Sequence, residues 1–162
     1  MKYQNITHDD LLNGSGIRVV LWVSGCNHHC EGCHNPVTWD INDGLEFTTK
    51  EKKEIFTELN KDYISGVTFS GGDPLHPDNR LEVLELISEI KSKFPNKSIW
   101  LYTGYLFEDI LKWNLDISNI DVIVDGEFKK ELFSPKQPWV GSSNQKVINV
   151  KESLKTNSIV LL

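Results

Sequence analysis

Four short apolar runs rich in β-branched residues recur along the chain, and a glycine follows each of them within two residues. Continuous apolar runs of this length are typical of strands that are buried on both faces of a sheet. The pattern therefore predicts four buried strands, at residues 17–24, 64–69, 98–102 and 121–124.

Apolar side chains at helical spacing separate these runs. Thr48 and Glu51 have the spacing of a capping box and predict a helix over about residues 49–60. A second helix is predicted from Leu81 to the stop at Pro95, and helical residues near 106–113 form a third.

Strands that alternate with helices predict parallel pairing through right-handed crossovers. From Glu127 onward the pattern fades, and only one more short strand is predicted, at residues 146–150. We therefore expect a single α/β domain over residues 1–162, built on an open, mostly parallel sheet. Ligands of such sheets bind at the carboxyl ends of the strands.

The composition narrows the class of protein. The chain has 162 residues, 39% apolar and 25% charged, with a net charge of -6 and no run of basic residues, so we expect no nucleic-acid binding. Met1 to Asp10 are polar, and the apolar run Val19–Val23 is too short to span a bilayer. A cytoplasmic protein without a membrane partner is expected.

All three cysteines lie within eight residues, as Cys26, Cys30 and Cys33. An odd count excludes a fully paired disulfide scaffold, and a tight cysteine cluster in a reducing compartment is more often metal-binding or catalytic than structural. Iron–sulfur clusters are usually held by four thiolates. Three thiolates therefore leave one iron open to an exogenous molecule.

The main alternative for these cysteines is a zinc knuckle. Its fourth ligand would come from His28, His29 or His34. Zinc sites, however, usually combine paired Cys-x2-4-Cys units separated by a longer gap. The spacing Cys-x3-Cys-x2-Cys therefore favours a cluster over a non-catalytic zinc module.

The cysteine spacing, placed after the first buried strand, is similar to the signature of the radical S-adenosylmethionine superfamily. Over nearly the whole chain the sequence resembles the activating proteins of anaerobic ribonucleotide reductase. In two places it departs from them: Ser15 stands at a usual proline and Lys146 at a frequent arginine. The stretches that carry the resemblance are residues 13–20, 33–35, 70–75, 100–105, 124–126 and 139–146.

The resemblance implies a sheet curved into a partial (βα) barrel and a site at its strand ends. Cys26, Cys30 and Cys33 would hold a 4Fe-4S cluster, and S-adenosylmethionine would bind its open iron. The residues expected to contact the cofactor are Gly32, Cys33, His34, Gly71, Gly72, Asp73 and Thr103. Without the cysteine loop, Gly71-Gly72 would be read as an ordinary turn.

The implied activity begins with an external one-electron reductant and the reductive cleavage of S-adenosylmethionine. The 5'-deoxyadenosyl radical would then generate a glycyl radical on the large subunit of anaerobic ribonucleoside-triphosphate reductase. No acid–base catalyst is expected. A radical enzyme acting on another glycyl-radical protein or on a small molecule is the second hypothesis, although 162 residues leave little chain to cover a small substrate.

Three further residues stand out. Arg18, one of only two arginines, is expected to be either a solvated charge at a strand edge or a contact for a substrate or partner. Trp39 and Trp139 lie in segments predicted as loops, where they could contribute to an exposed docking patch for another protein.

Overall fold

A computed structural model describes all residues from Met1 to Leu162 as seven strands in one sheet, with four α-helices. The strands are β1 (Lys2–Asp10), β2 (Ile17–Val23), β3 (Leu45–Glu46), β4 (Ile64–Gly71), β5 (Ser98–Tyr102), β6 (Val122–Asp125) and β7 (Lys146–Asn149). The helices are α1 (Thr49–Leu59), α2 (Arg80–Lys93), α3 (Phe107–Ile110) and α4 (Val150–Thr156).

The centre of the sheet is parallel and its flanks are antiparallel. The strand order is β3-β1-β2-β4-β5-β6-β7, in which β2, β4, β5 and β6 run parallel. These are the four strands that the apolar runs predict. The partial barrel stays a prediction, because the observed pairing gives one open sheet whose edge strands, β3 and β7, do not pair with each other.

Besides the two-residue strand β3, two elements were not predicted from the sequence. Strand β1 pairs antiparallel with β2, yet Tyr3 is its only buried residue, so it lacks the apolar pattern of a core strand. Helix α4 is only seven residues long and buries just Val150 and Ser153. Both elements lie at the margin of the core, where burial leaves little trace in the sequence.

The helices bury one continuous apolar core against the sheet, centred on β2, β4 and β5. Helix α1 begins with the predicted capping box, in which the Thr48 backbone N–H donates to Glu51 Oε2 at 2.8 Å. No helix is both long enough and apolar enough to cross a membrane.

Arg18 is fully buried at the start of β2, so the expectation of a solvated strand-edge charge is wrong. Its guanidinium lies 5.4 Å from the ring centre of Trp100 and pairs with no carboxylate, and burial lowers its pKa to about 10. The acceptors are Thr68 Oγ1, Ser98 Oγ and the carbonyls of Ser15, Val67 and Ser98, at 2.8 to 2.9 Å. Arg18 therefore links β2 to β4 and β5.

We expect Arg18→Lys to lower the free energy of unfolding by about 2 to 3 kcal/mol, because a lysine ammonium has three donors and cannot reproduce the guanidinium fork. Urea denaturation measures the change. Arg80→Lys is the matched control, since Arg80 is only partly buried and lies 5.1 Å from the Trp113 ring. Equal stability of the two lysine variants would contradict this role.

Candidate functional site

The carboxyl ends of the four parallel strands open onto one cleft. Eight of the nine predicted site residues line it: Cys26, Cys30, Cys33, His34, Gly71, Gly72, Asp73 and Thr103. The exception is Gly32, an exposed residue beside the aliphatic part of Lys130. The structure thus brings together residues from three separate stretches of the sequence.

The cysteine loop, residues 26–33, leaves β2 and is held at its start by backbone hydrogen bonds. The N–H of Gly25 donates to Thr38 O at 2.7 Å, and that of Cys26 donates to Trp39 O at 3.0 Å. The three thiols are free and partly buried. Burial raises the pKa of Cys26 to about 11 and also raises that of Cys30. Metal coordination would offset this preference for the neutral thiol.

The donor set of three thiols fits an iron–sulfur cluster, whose irons are usually held by cysteine thiolates. A zinc ion needs four ligands within about 2.3 Å of one point. No three Cys, His, Asp or Glu side chains in the structure are grouped to hold one ion. Thiolates that bind different irons need not converge in this way. Of the alternative zinc ligands, His28 already has both ring nitrogens beside carboxylates.

The Gly71-Gly72 turn packs directly against the start of the cysteine loop. The N–H of Gly72 donates to Val23 O at 2.8 Å, and that of Asp73 donates to Gly25 O at 2.7 Å. A Cβ on Gly72 would overlap the carbonyl of Gly25 and lie 2.9 Å from Thr38 O. Glycine at position 72 therefore lets the turn approach the backbone at the start of the cysteine loop.

Asp73 joins three strand ends. Its carboxylate is buried and accepts hydrogen bonds at Oδ1 from Leu75 N at 2.8 Å and Thr103 Oγ1 at 2.9 Å. At Oδ2 it accepts from Gly104 N at 3.0 Å and meets His28 Nε2 at 2.8 Å. Asp73 and Thr103 thus form one wall of the cleft, and a cofactor contact by either residue stays a prediction.

His28 was expected from the sequence only as one of three alternative zinc ligands. Its Nδ1 lies 2.9 Å from Glu127 Oε1, and its ring stacks edge-on against Tyr105, with centroids 4.5 Å apart. Burial alone would lower the pKa of His28, but Asp73 and Glu127 outweigh this and raise it. Asp73 and Glu127 each lie just after a parallel strand, and this position was the signal in the sequence that could have placed them at the site.

The other wall belongs to the pinned loop, residues 126–145. Gln145 Oε1 accepts from Gly141 N at 2.8 Å, and its Nε2 donates to Gly126 O at 2.8 Å. Asn144 Nδ2 donates to Glu127 O at 2.9 Å, and Ser142 Oγ accepts from Lys129 N at 3.0 Å. The 139–146 stretch, which had no assigned role, therefore builds this wall.

Neither tryptophan expected in an exposed patch is exposed. Trp39 lines the cleft and stacks on His29, with ring centroids 4.6 Å apart. Trp139 is half-buried against Trp100, at a centroid distance of 5.0 Å. The most exposed aromatic side chain of the pinned loop is instead Phe133, at 64%.

Comparisons with known proteins support an iron–sulfur cluster in this chain. A family model described as a 4Fe-4S single cluster domain matches residues 12–148. An anaerobic ribonucleoside-triphosphate reductase-activating protein of Enterobacteria phage T4 is 48% identical over 147 residues, covering 91% of this chain and 93% of the relative. Proteins with the same name from Salmonella typhi and Escherichia coli K12 are 41% and 40% identical over 154 residues, covering 93% of this chain and 100% of each relative.

Proposed function

This chain belongs to the family of anaerobic ribonucleoside-triphosphate reductase-activating proteins, and on that premise we propose that it activates such a reductase by generating a glycyl radical on its large subunit. The observation that carries the proposal is the meeting of three free thiols with the strand-end turns in one cleft. This arrangement supports a metal cluster and an organic cofactor side by side.

Cys26, Cys30 and Cys33 would hold a 4Fe-4S cluster. When bound and reduced, the cluster would supply the electron for reductive cleavage of S-adenosylmethionine, the chemistry from which a glycyl radical on the partner would arise. The protein provides the thiolates and partly shields them, because each thiol is only partly exposed. The reducing electron comes from an external one-electron donor.

S-adenosylmethionine would lie along the cleft between the cysteine loop and the strand ends. The Gly71-Gly72 turn offers backbone groups to the amino acid end of the cofactor, while Asp73 fixes the turn beside Thr103. The cleft also exposes Gln145 and Phe128, which are candidates for orienting the remainder of the cofactor. None of these groups acts as an acid or a base.

The decisive experiment combines this protein with the large subunit of its cognate reductase, S-adenosylmethionine and a strong reductant. We expect an electron paramagnetic resonance doublet that collapses when the glycine Cα of the partner is deuterated, together with the onset of nucleotide reduction. Hydrogen transfer requires contact at about 3 to 3.5 Å, so removing the glycine-bearing loop of the partner should abolish the signal.

The controls distinguish the alternatives. Cofactor cleavage without a doublet on the cognate reductase, but with one on another glycyl-radical enzyme, would establish the second hypothesis. Stoichiometric zinc without iron after strictly anaerobic purification would instead establish a non-catalytic zinc module.

A further inference from the structure

The side chains of the cysteine loop make few hydrogen bonds with the rest of the chain. Asn27 Oδ1 lies 3.1 Å from His76 Nε2, and Glu31 lies 3.4 Å from Lys130 Nζ. Asn27 and Glu31, the loop residues in these two contacts, are both exposed. His28 differs from them because its side chain is only 9% exposed and both of its ring nitrogens are engaged. The fixed position of the loop therefore depends chiefly on this residue and on the backbone at its start.

The two partners of His28 belong to different walls of the cleft. Asp73 follows β4, and its side chain is 2% exposed, whereas Glu127 follows β6 at the base of the pinned loop and is 53% exposed. The contacts span 45 and 99 residues of sequence. One imidazole thus connects the segment that carries the thiols with both sides of the cleft.

The space around the imidazole is fitted to a ring. A Cβ on Gly104 would lie 2.6 Å from His28 Nε2, so glycine is the residue that lets β5 end against the imidazole. Tyr105 covers the ring from another side. Packing and hydrogen bonding therefore fix the same orientation, as expected of a residue that acts by holding others in place.

From this geometry we infer that His28 is a positioning residue, which holds the cysteine loop and the two cleft walls in one arrangement so that the cluster and S-adenosylmethionine are presented to each other. The inference rests on the proposed function for its purpose, but the tie itself, the contact of His28 with Asp73 and Glu127, involves residues of this chain alone. The Asp73 contact should carry most of the effect, because removing one partner from a buried carboxylate costs more than removing one from the exposed Glu127.

Two substitutions separate the hydrogen bonds from the packing. His28→Phe keeps a ring against Tyr105 and Gly104 but removes both ring nitrogens. His28→Gln loses the ring but places an amide nitrogen near the position of Nε2, within reach of Asp73. If His28 only filled space, phenylalanine would be the better replacement; if it positions the loop through Asp73, glutamine would be.

Two further variants complete the series. His29→Asn is the matched control, since His29 lies in the same loop, is exposed, has a φ of +48° that asparagine tolerates, and stacks on Trp39 without a hydrogen bond. Glu127→Gln removes the charge of the exposed partner alone and should fold normally.

The first measurement uses cluster-free protein and follows amide hydrogen exchange across residues 25–35. We expect His28→Phe to accelerate exchange there on the order of tenfold, as loss of a charge-assisted hydrogen bond permits. His28→Gln and Glu127→Gln should change it by only about two- to threefold, and His29→Asn should match the wild type. Equal exchange in His28→Phe and the wild type would overturn the inference.

The second measurement uses anaerobically reconstituted protein. We expect iron release to a chelator to be fastest in His28→Phe, with His28→Gln close to the wild type, and the electron paramagnetic resonance change on adding S-adenosylmethionine to be lost only in His28→Phe. The role of the hydrogen bonds is refuted if His28→Gln loses iron and the electron paramagnetic resonance change as fully as His28→Phe does. It is also refuted if both His28 variants unfold while Glu127→Gln retains wild-type exchange and iron. Failure of the wild type to bind iron would refute the proposed function instead, while the exchange data would still report on the tie.

Discussion

Replacing any one of Cys26, Cys30 or Cys33 by serine should abolish stable binding of the iron–sulfur cluster and all cleavage of S-adenosylmethionine. A serine hydroxyl is a far poorer ligand for iron than a thiolate, and the other two thiolates would leave a second iron without a protein ligand. The measurements are iron per chain after anaerobic reconstitution and 5'-deoxyadenosine formed with a strong reductant. We expect about four irons per chain in the wild type and only a small fraction of that iron in each variant.

The fold should survive these substitutions. All three thiols are free, and none belongs to the apolar core, so we expect the free energy of unfolding of the cluster-free variants to stay within about 1 kcal/mol of the wild type. Glu31→Gln serves as the control from the same loop, because its side chain is 87% exposed and should not affect the cluster. A serine variant with full iron content would remove that cysteine from the ligand set.

Gly72→Ala is expected to cause the second large effect, a loss of roughly 3 kcal/mol in the free energy of unfolding together with poor cluster incorporation. Its φ lies outside the left-handed region, so alanine fits the backbone conformation and the cost comes from contact alone. The added methyl group would overlap the Gly25 carbonyl and press on that of Thr38. Neither backbone can move without shifting the start of the cysteine loop.

Gly126→Ala provides the comparison from the opposite wall. Gly126 has a φ of +93°, but a Cβ there would meet nothing closer than 3.7 Å. This variant should therefore show only the cost of backbone strain, about 1 to 2 kcal/mol, and should still incorporate iron. Urea denaturation and iron analysis decide the matter: normal iron content in Gly72→Ala would contradict the proposed contact between the turn and the loop.

The apolar pattern predicted the central strands well because burial on both faces leaves an unbroken run of apolar residues. The boundaries of β5 agree to the residue, and those of β2 to within one. The same reasoning missed β1, which is polar because most of its side chains reach solvent. It also placed β7 without giving its antiparallel direction, which depends on long-range pairing.

The candidate site, too, was predicted from the sequence only where its residues are close together in the chain. Its three thiols are close in sequence, so their spacing alone indicated a metal centre. The link from His28 to Asp73 and Glu127 joins positions far apart in the chain, and no local pattern marks those residues as neighbours. The prediction for Arg18 was wrong for a related reason: its acceptors are carbonyls and hydroxyls, whose positions depend on strand pairing.

The hydrogen bonds of Ser142, Asn144 and Gln145 divide the pinned loop into a base that forms part of the cleft and a tip, residues 135–138, that is exposed. Since the base is closed by its own bonds, the length of the tip is free to change without moving the cleft wall, and closing a longer tip costs little entropy. A short epitope inserted beside Lys136 would therefore mark the protein while leaving its chemistry intact.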